Sequence, residues 1–232
     1  MSGSGEAYSG DHRVNPRARR SATARVRRAV DRYGVLPFSA PEGALSAIRV
    51  ITGVTVRGSW WGHPAGHLIY WVAEGWDRAT SVIATAKLLG GKVTLVHSRL
   101  WPALVSVGKA RASWQTGGLD PGARNLLRTV DRLGYVRGDL LSQELGMDYA
   151  SFRHGVKRLE LRLLVSASSV HTRTGAHALA AESWSRWASR RHLARWPSPG
   201  QARRRFETAG VELGIEPESA QWPWNVERGG GP

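Results

Sequence analysis

Between residues 116 and 182 the apolar positions recur first at helical and then at strand spacing. Ala123, Leu126, Leu127, Val130 and Leu133 form one helical stripe, opened by Asp120-Pro121 and closed by Gly134. A second short helix is predicted after Asp139, with Leu140, Leu141 and Leu145 turned inward and Gly146 in the turn. Asp148 caps a third predicted helix that buries Phe152, Val156, Leu159 and Leu163. Residues 164–172 and 176–179 then read as two strands around a tip at Arg173-Thr174-Gly175. Three helices and a hairpin, in that order, make a winged helix-turn-helix. The predicted fold class is α+β, mainly helical.

Upstream, the same kinds of element follow in the same order. Val26, Ala29, Val30 and Tyr33 line one side of a helix over 24–33 that Gly34 ends. Ser39 and Glu42 form a capping box before Leu45, Ile48 and Ile51. Pro64 opens a helix with Leu68, Ile69, Trp71 and Val72. Residues 81–88 and 92–97 are strand-like around Gly90-Gly91. Ser98 caps a helix carrying Leu100, Trp101, Leu104, Val105 and Val107. Four segments follow: a disordered basic tail over 1–22, helices plus a hairpin with the order of a degenerate winged helix over 23–115, the winged helix-turn-helix over 116–182, and Trp/Arg-rich helices with a loose tail over 183–232. In the last, a tryptophan-rich helix is predicted over 183–196 and another from Gln201 to Leu213. Beyond Pro217 the tail reads as loose, with Trp222 and Trp224 able to pin it. A tandem of winged helices rests on element order alone, since no sequence repeat links the halves.

Charge changes the picture. The chain has 232 residues, a formal net charge of +15 and no cysteine. That balance suits a polyanionic partner and excludes disulfides and thiolate metal sites. Only Lys87, Lys92, Lys109 and Lys157 are lysines, so arginine-rich coding bias accounts for part of it. Residues 1–35, 36–115, 116–182 and 183–232 carry +5, +5, +2 and +3. Non-specific attraction to nucleic acid would therefore come mostly from outside the winged helix. No apolar run reaches membrane-span length, and the N-terminus lacks an apolar signal core. The expectation is a cytoplasmic or nucleoid-associated protein with no membrane partner.

The third helix of the winged helix carries the candidate chemistry. Tyr149, Arg153 and Lys157 share a face, and His154, Arg158 and Arg162 form a second polar row beside it. With Arg173 at the wing tip, the nucleic-acid-binding candidates are Tyr149, Arg153, His154, Lys157, Arg158 and Arg173. A solvated amphipathic face would look the same. His171 and His177 flank the tip in a structural role. Residues 58–67 are the densest cluster of unusual side chains. Trp60 suits the core, whereas Trp61 could stack on a base. Trp61 and His63 are the catalytic candidates of this segment. His63 and His67 lie four apart, but Pro64 and Gly66 between them argue against a metal pair, so no metal and no cofactor is expected. Glu74 or Asp77 could serve as an acid, yet neither sits in a motif. No nucleotide loop, nucleophile elbow or paired-carboxylate motif occurs.

The segments Gly58 to Pro64, Lys87 to His97, Arg99 to Leu104, Val170 to His177 and Glu182 to Trp184 resemble AlkZ-related winged-helix proteins, relatives of the AlkZ-type DNA glycosylases. The resemblance spans about residues 37 to 190. It implies tandem winged helices and a DNA context. The catalytic Gln-x-Gln or Gln-x-Asp of those glycosylases has no counterpart at Gln115, Gln143, Gln201 or Gln221, so no catalytic residue carries over. The expected function is a winged-helix protein that binds double-stranded DNA in repair or regulation. The alternatives are a glycosylase-like enzyme acting on damaged bases and a winged-helix adaptor for another protein.

Overall fold

Asn15 starts the first helix. Its side chain accepts from the Arg17 amide, Pro16 occupies the first turn, and α1 runs Pro16–Tyr33 with Ala22, Val26 and Val30 buried. The structure is a computed structural model that describes residues 14–40, 43–77, 82–140, 146–172, 175–218 and 220–227. The helix thus begins well before residue 24, and 16–22 are not a disordered tail. Seven arginines in α1 hide its apolar face from a hydrophobicity reading, because that face is only a narrow row at four-residue spacing. Residues 1–13 lie outside the described residues.

After α1 come β1 (Val35–Pro37), α2 (Ala47–Thr52), α3 (Gly66–Asp77), β2 (Ile83–Lys87) and β3 (Val93–His97). The cap of α2 is Ser46, whose hydroxyl accepts from the Arg49 amide, and not Ser39. Glu42, the other half of the expected capping box, lies outside the described residues. The predicted hairpin around Gly90-Gly91 is present as β2 and β3. The next turn is capped by His97, whose Nδ1 accepts from the Arg99 amide, rather than by Ser98. It leads into α4 (Trp101–Lys109) and the short α5 (Ser113–Thr116).

The second unit contains α6 (Pro121–Leu133), β4 (Tyr135–Arg137), a helical stretch at 138–140, α7 (Tyr149–Leu161), β5 (Ser166–His171) and β6 (His177–Glu182). Leu133 and Leu140 are exposed, not inward. Leu133 is the last residue of α6, and neither side chain joins the core formed by Leu126, Val130, Phe152 and Leu159. Leu141 and Leu145 fall outside the described residues.

The two three-stranded sheets have the same antiparallel topology, β1-β3-β2 and β4-β6-β5. They also share an entry. Val30-Asp31-Arg32-Tyr33-Gly34 and Val130-Asp131-Arg132-Leu133-Gly134 end α1 and α6. In both, the glycine adopts a left-handed φ, +81° and +76°, and its amide bonds the valine carbonyl at 2.8 Å. The glycine carbonyl then accepts from His97 in the first unit and Ser183 in the second, at 2.8 and 2.9 Å. Four of these five residues are identical, so the halves share a short helix-end motif where each sheet begins. Five residues were too short a match to stand out against the divergent helices that follow.

The core is divided unevenly. One cluster covers only the second unit. The other combines the first unit with α4 and with the C-terminal helices α8 (Trp184–Ser189) and α9 (Pro199–Glu212). Helix α8 ends at Ser189, short of the predicted span to 196. Residues 220–227 of the tail are held, since Trp222 and Trp224 stack at 5.2 Å in the core against Phe206. Among the described residues no helix is long and apolar enough to cross a membrane.

Candidate nucleic-acid interface

Helix α7 starts at Asp148, whose carboxylate accepts from the Ser151 amide at 2.9 Å and from its hydroxyl at 2.6 Å. The Ser151 hydroxyl and then its amide hold the Asp148 carboxyl below its ordinary range. Phe152, Gly155, Val156 and Leu159 face α6 and are buried. This fixes the opposite face toward solvent. Arg153, His154 and Lys157 are exposed there. With Ala150, Glu160 and Leu179 they border an open cleft of about 450 Å³ beside the β5–β6 hairpin. Exposed cations beside a hairpin can meet phosphates with little desolvation cost.

The other candidates are placed differently. Tyr149 stacks on Phe152, and its hydroxyl accepts from the Leu179 amide at 3.4 Å, so it ties α7 to β6. Arg158 turns back to the start of α6, pairing with Asp120 at 3.0 Å and donating to the Gly118 carbonyl at 3.3 Å. The Ala123 amide, and secondarily Arg158, hold the Asp120 carboxyl low. Arg162 lies outside the helix and donates to the Trp114 and Gln115 carbonyls. Periodicity put Arg158 and Arg162 with the open row because it does not register a neighbouring helix N-terminus. Arg173 lies outside the described residues. The hairpin's last pair before the tip is His171 opposite His177, with rings 4.2 Å apart. His177 bonds the Ser169 hydroxyl at 3.0 Å.

A second cleft of about 440 Å³ lies between the two units. Glu160 and Leu179 border it as well, so it adjoins the α7 cleft. Its walls include Phe38, Trp60 and Trp76 from the first unit and Ser168 and Ser169 from β5. Glu74, Lys87 and Glu160 bring charge to it. Among the described residues the Nε1 of buried Trp76 has no hydrogen-bond partner. Trp60, rather than Trp61 or His63, lines this cleft together with Glu74 and Glu160. Trp61 stacks outward on Trp60 at 4.4 Å, and the His63 Nδ1 accepts from the Ala65 amide, closing the turn before α3. That bond gives His63 a structural role in the turn. Glu74 could be picked out from sequence, but Lys87 and Glu160 could not. They come from different units and meet only through tertiary packing.

Among the described residues no group of three His, Cys, Asp or Glu side chains could hold a metal ion. Comparison with protein families, curated proteins and solved structures gives no match.

Proposed function

We propose that this chain is a DNA-binding protein of two winged helices in tandem, with α7 reading duplex DNA and the β5–β6 hairpin as its wing. The observation that carries the reading is the exposed row Arg153, His154 and Lys157 on a helix whose opposite face is locked into a core beside a hairpin. The repeated element order and sheet order support the tandem arrangement. So does the resemblance to AlkZ-related proteins. The net charge of +15 supports a polyanion. A role in repair or regulation belongs to this proposal.

Duplex binding across a salt series tests it. Each phosphate contact contributes about 0.9 to the slope of log K against log salt. Arg153→Ala with Lys157→Ala should flatten the slope by about two and weaken binding about tenfold per cation. Arg158→Ala should instead lower the melting temperature slightly, since it removes one tie from α7 to the start of α6. Unchanged duplex binding by the double variant at every salt concentration removes α7 as the reader.

A second reading, base processing, is favoured by the inner cleft alone. Its volume suits a nucleobase, and it combines aromatic walls with two carboxylates. Abasic-site formation on damaged duplexes that is lost in Glu74→Gln would favour it. No product from any lesion would count against it.

A further inference from the structure

Helix α3 occupies in the first unit the place that α7 holds in the second. Ile69, Val72 and Trp76 are buried at the spacing of Phe152, Gly155 and Leu159. In that register Tyr70 and Trp71 stand where α7 presents Arg153 and His154. Both aromatic rings are open to solvent, at 37% and 38%, and Trp61 at 61%. The rings are not scattered. Trp60 and Trp61 stack with centroids 4.4 Å apart, Trp61 and Tyr70 lie tilted at 5.5 Å, and Tyr70 and Trp71 meet edge-on at 6.1 Å. The Arg19 guanidinium closes the row, 4.8 Å above the Trp71 ring. Adjacent α1 carries seven arginines against one aspartate, and Arg17, Arg19, Arg20, Arg27, Arg28 and Arg32 are exposed.

We propose that this aromatic ladder and the arginines of α1 bind single-stranded nucleic acid. The surface demands two things of its partner: negative charge at close intervals and flat apolar faces. An unpaired strand offers both, because its bases are free to stack while its phosphates meet the arginines. A duplex hides its base faces, and an acidic peptide has charge but few flat faces. Trp61, Tyr70 and Trp71 are the stacking platform, and Arg19 joins platform to backbone. The surface is distinct from α7, so it stands whether or not α7 reads duplex DNA.

The test compares the full-length protein on a labelled oligothymidylate, on an abasic strand of equal length and on polyglutamate. Stacking accounts for about fivefold to a hundredfold in affinity per base on removal of its ring. The wild type should therefore bind oligothymidylate at least about tenfold more tightly than the abasic strand, which has the same charge. Trp61→Ala with Trp71→Ala should remove most of that difference, leaving only what Tyr70 supplies, and leave the salt slope intact, since no charge is lost. Arg153→Ala with Lys157→Ala should leave the preference for oligothymidylate over the abasic strand unchanged. Equal affinity of the wild type for oligothymidylate and the abasic strand overturns the proposal without recourse to any variant. So does binding of polyglutamate as tightly as oligothymidylate, or a wild-type preference retained in full by the double tryptophan variant.

Discussion

Gly108→Ala is expected to destabilise the protein by about 2–4 kcal/mol, against the usual gain from replacing a helical glycine. A Cβ on Gly108 would lie 2.3 Å from Nε1 and 2.4 Å from Cδ1 of Trp184. Those are rigid ring atoms, so no flexible end can swing aside. The indole cannot withdraw cheaply either. Its Nε1 donates to the Leu163 carbonyl at 2.6 Å, and its ring meets Trp187 edge-on at 5.4 Å. Trp187 in turn packs on Trp101 and under the Arg191 guanidinium at 3.8 Å. Overpacking costs about 1–3 kcal/mol, and a buried carbonyl left without its donor costs about 1–3 more. Better helix propensity returns about 1 kcal/mol. Urea unfolding would read the balance as a lower midpoint. A midpoint equal to or above that of the wild type would show slack between α4 and Trp184 and defeat the argument.

The local chemistry of the chain was more legible than its long-range packing. Asp120-Pro121, Asp148, Gly34 and Gly134 marked helix ends because a cap acts within four residues. Gly90-Gly91 marked its hairpin for the same reason. Helix α1 was half missed because its first two turns bury only Ala22 among arginines. Leu133 and Leu140 matched the period yet ended exposed, since period assigns a face and not the extent of the core that meets it. The interface shows the same division. Arg153, His154 and Lys157 could be read from spacing because α7 alone defines their face. Arg158 is committed to Asp120, a partner 38 positions away by sequence number. The grouping of Glu74, Lys87 and Glu160 depends on how two units sit against one another. The aromatic ladder was visible only in part, as Trp61. Trp71 was grouped with the apolar residues of its helix because aromatic residues at helical spacing are usually core, and Tyr70 carried no signal of its own.

Gln115→Leu should cost about 3–5 kcal/mol, although the two side chains are close in size. Gln115 is fully buried. Its Nε2 donates to the carbonyls of Val107 and Arg162, both at 3.1 Å, and its Oε1 accepts from the Ala112 amide at 3.0 Å. One amide thus satisfies three backbone groups from α4, from the turn before α5 and from the end of α7. Leucine fills the space and abandons all three, each at about 1–3 kcal/mol where water cannot replace the bond. The Arg162 guanidinium, which donates to the Gln115 carbonyl at 3.1 Å, keeps the chain ends together and limits the loss. Gln115→Glu separates hydrogen bonding from packing. A carboxylate there would retain the Ala112 amide but point a second oxygen at two carbonyls. Burial and those carbonyls favour its protonated form, so its folded pKa is raised above the unfolded value. Stability of the Glu variant is then greatest below the unfolded pKa of glutamate, about 4.3, and is lost as pH rises through the raised folded value. Gln115→Leu should show the same deficit relative to wild type at every pH. Unfolding midpoints for the three proteins between acid and neutral pH test this. A Glu variant whose deficit does not grow with pH would mean that water reaches this site. Gln115 would then not be the bond that fixes the end of α7 against the first unit.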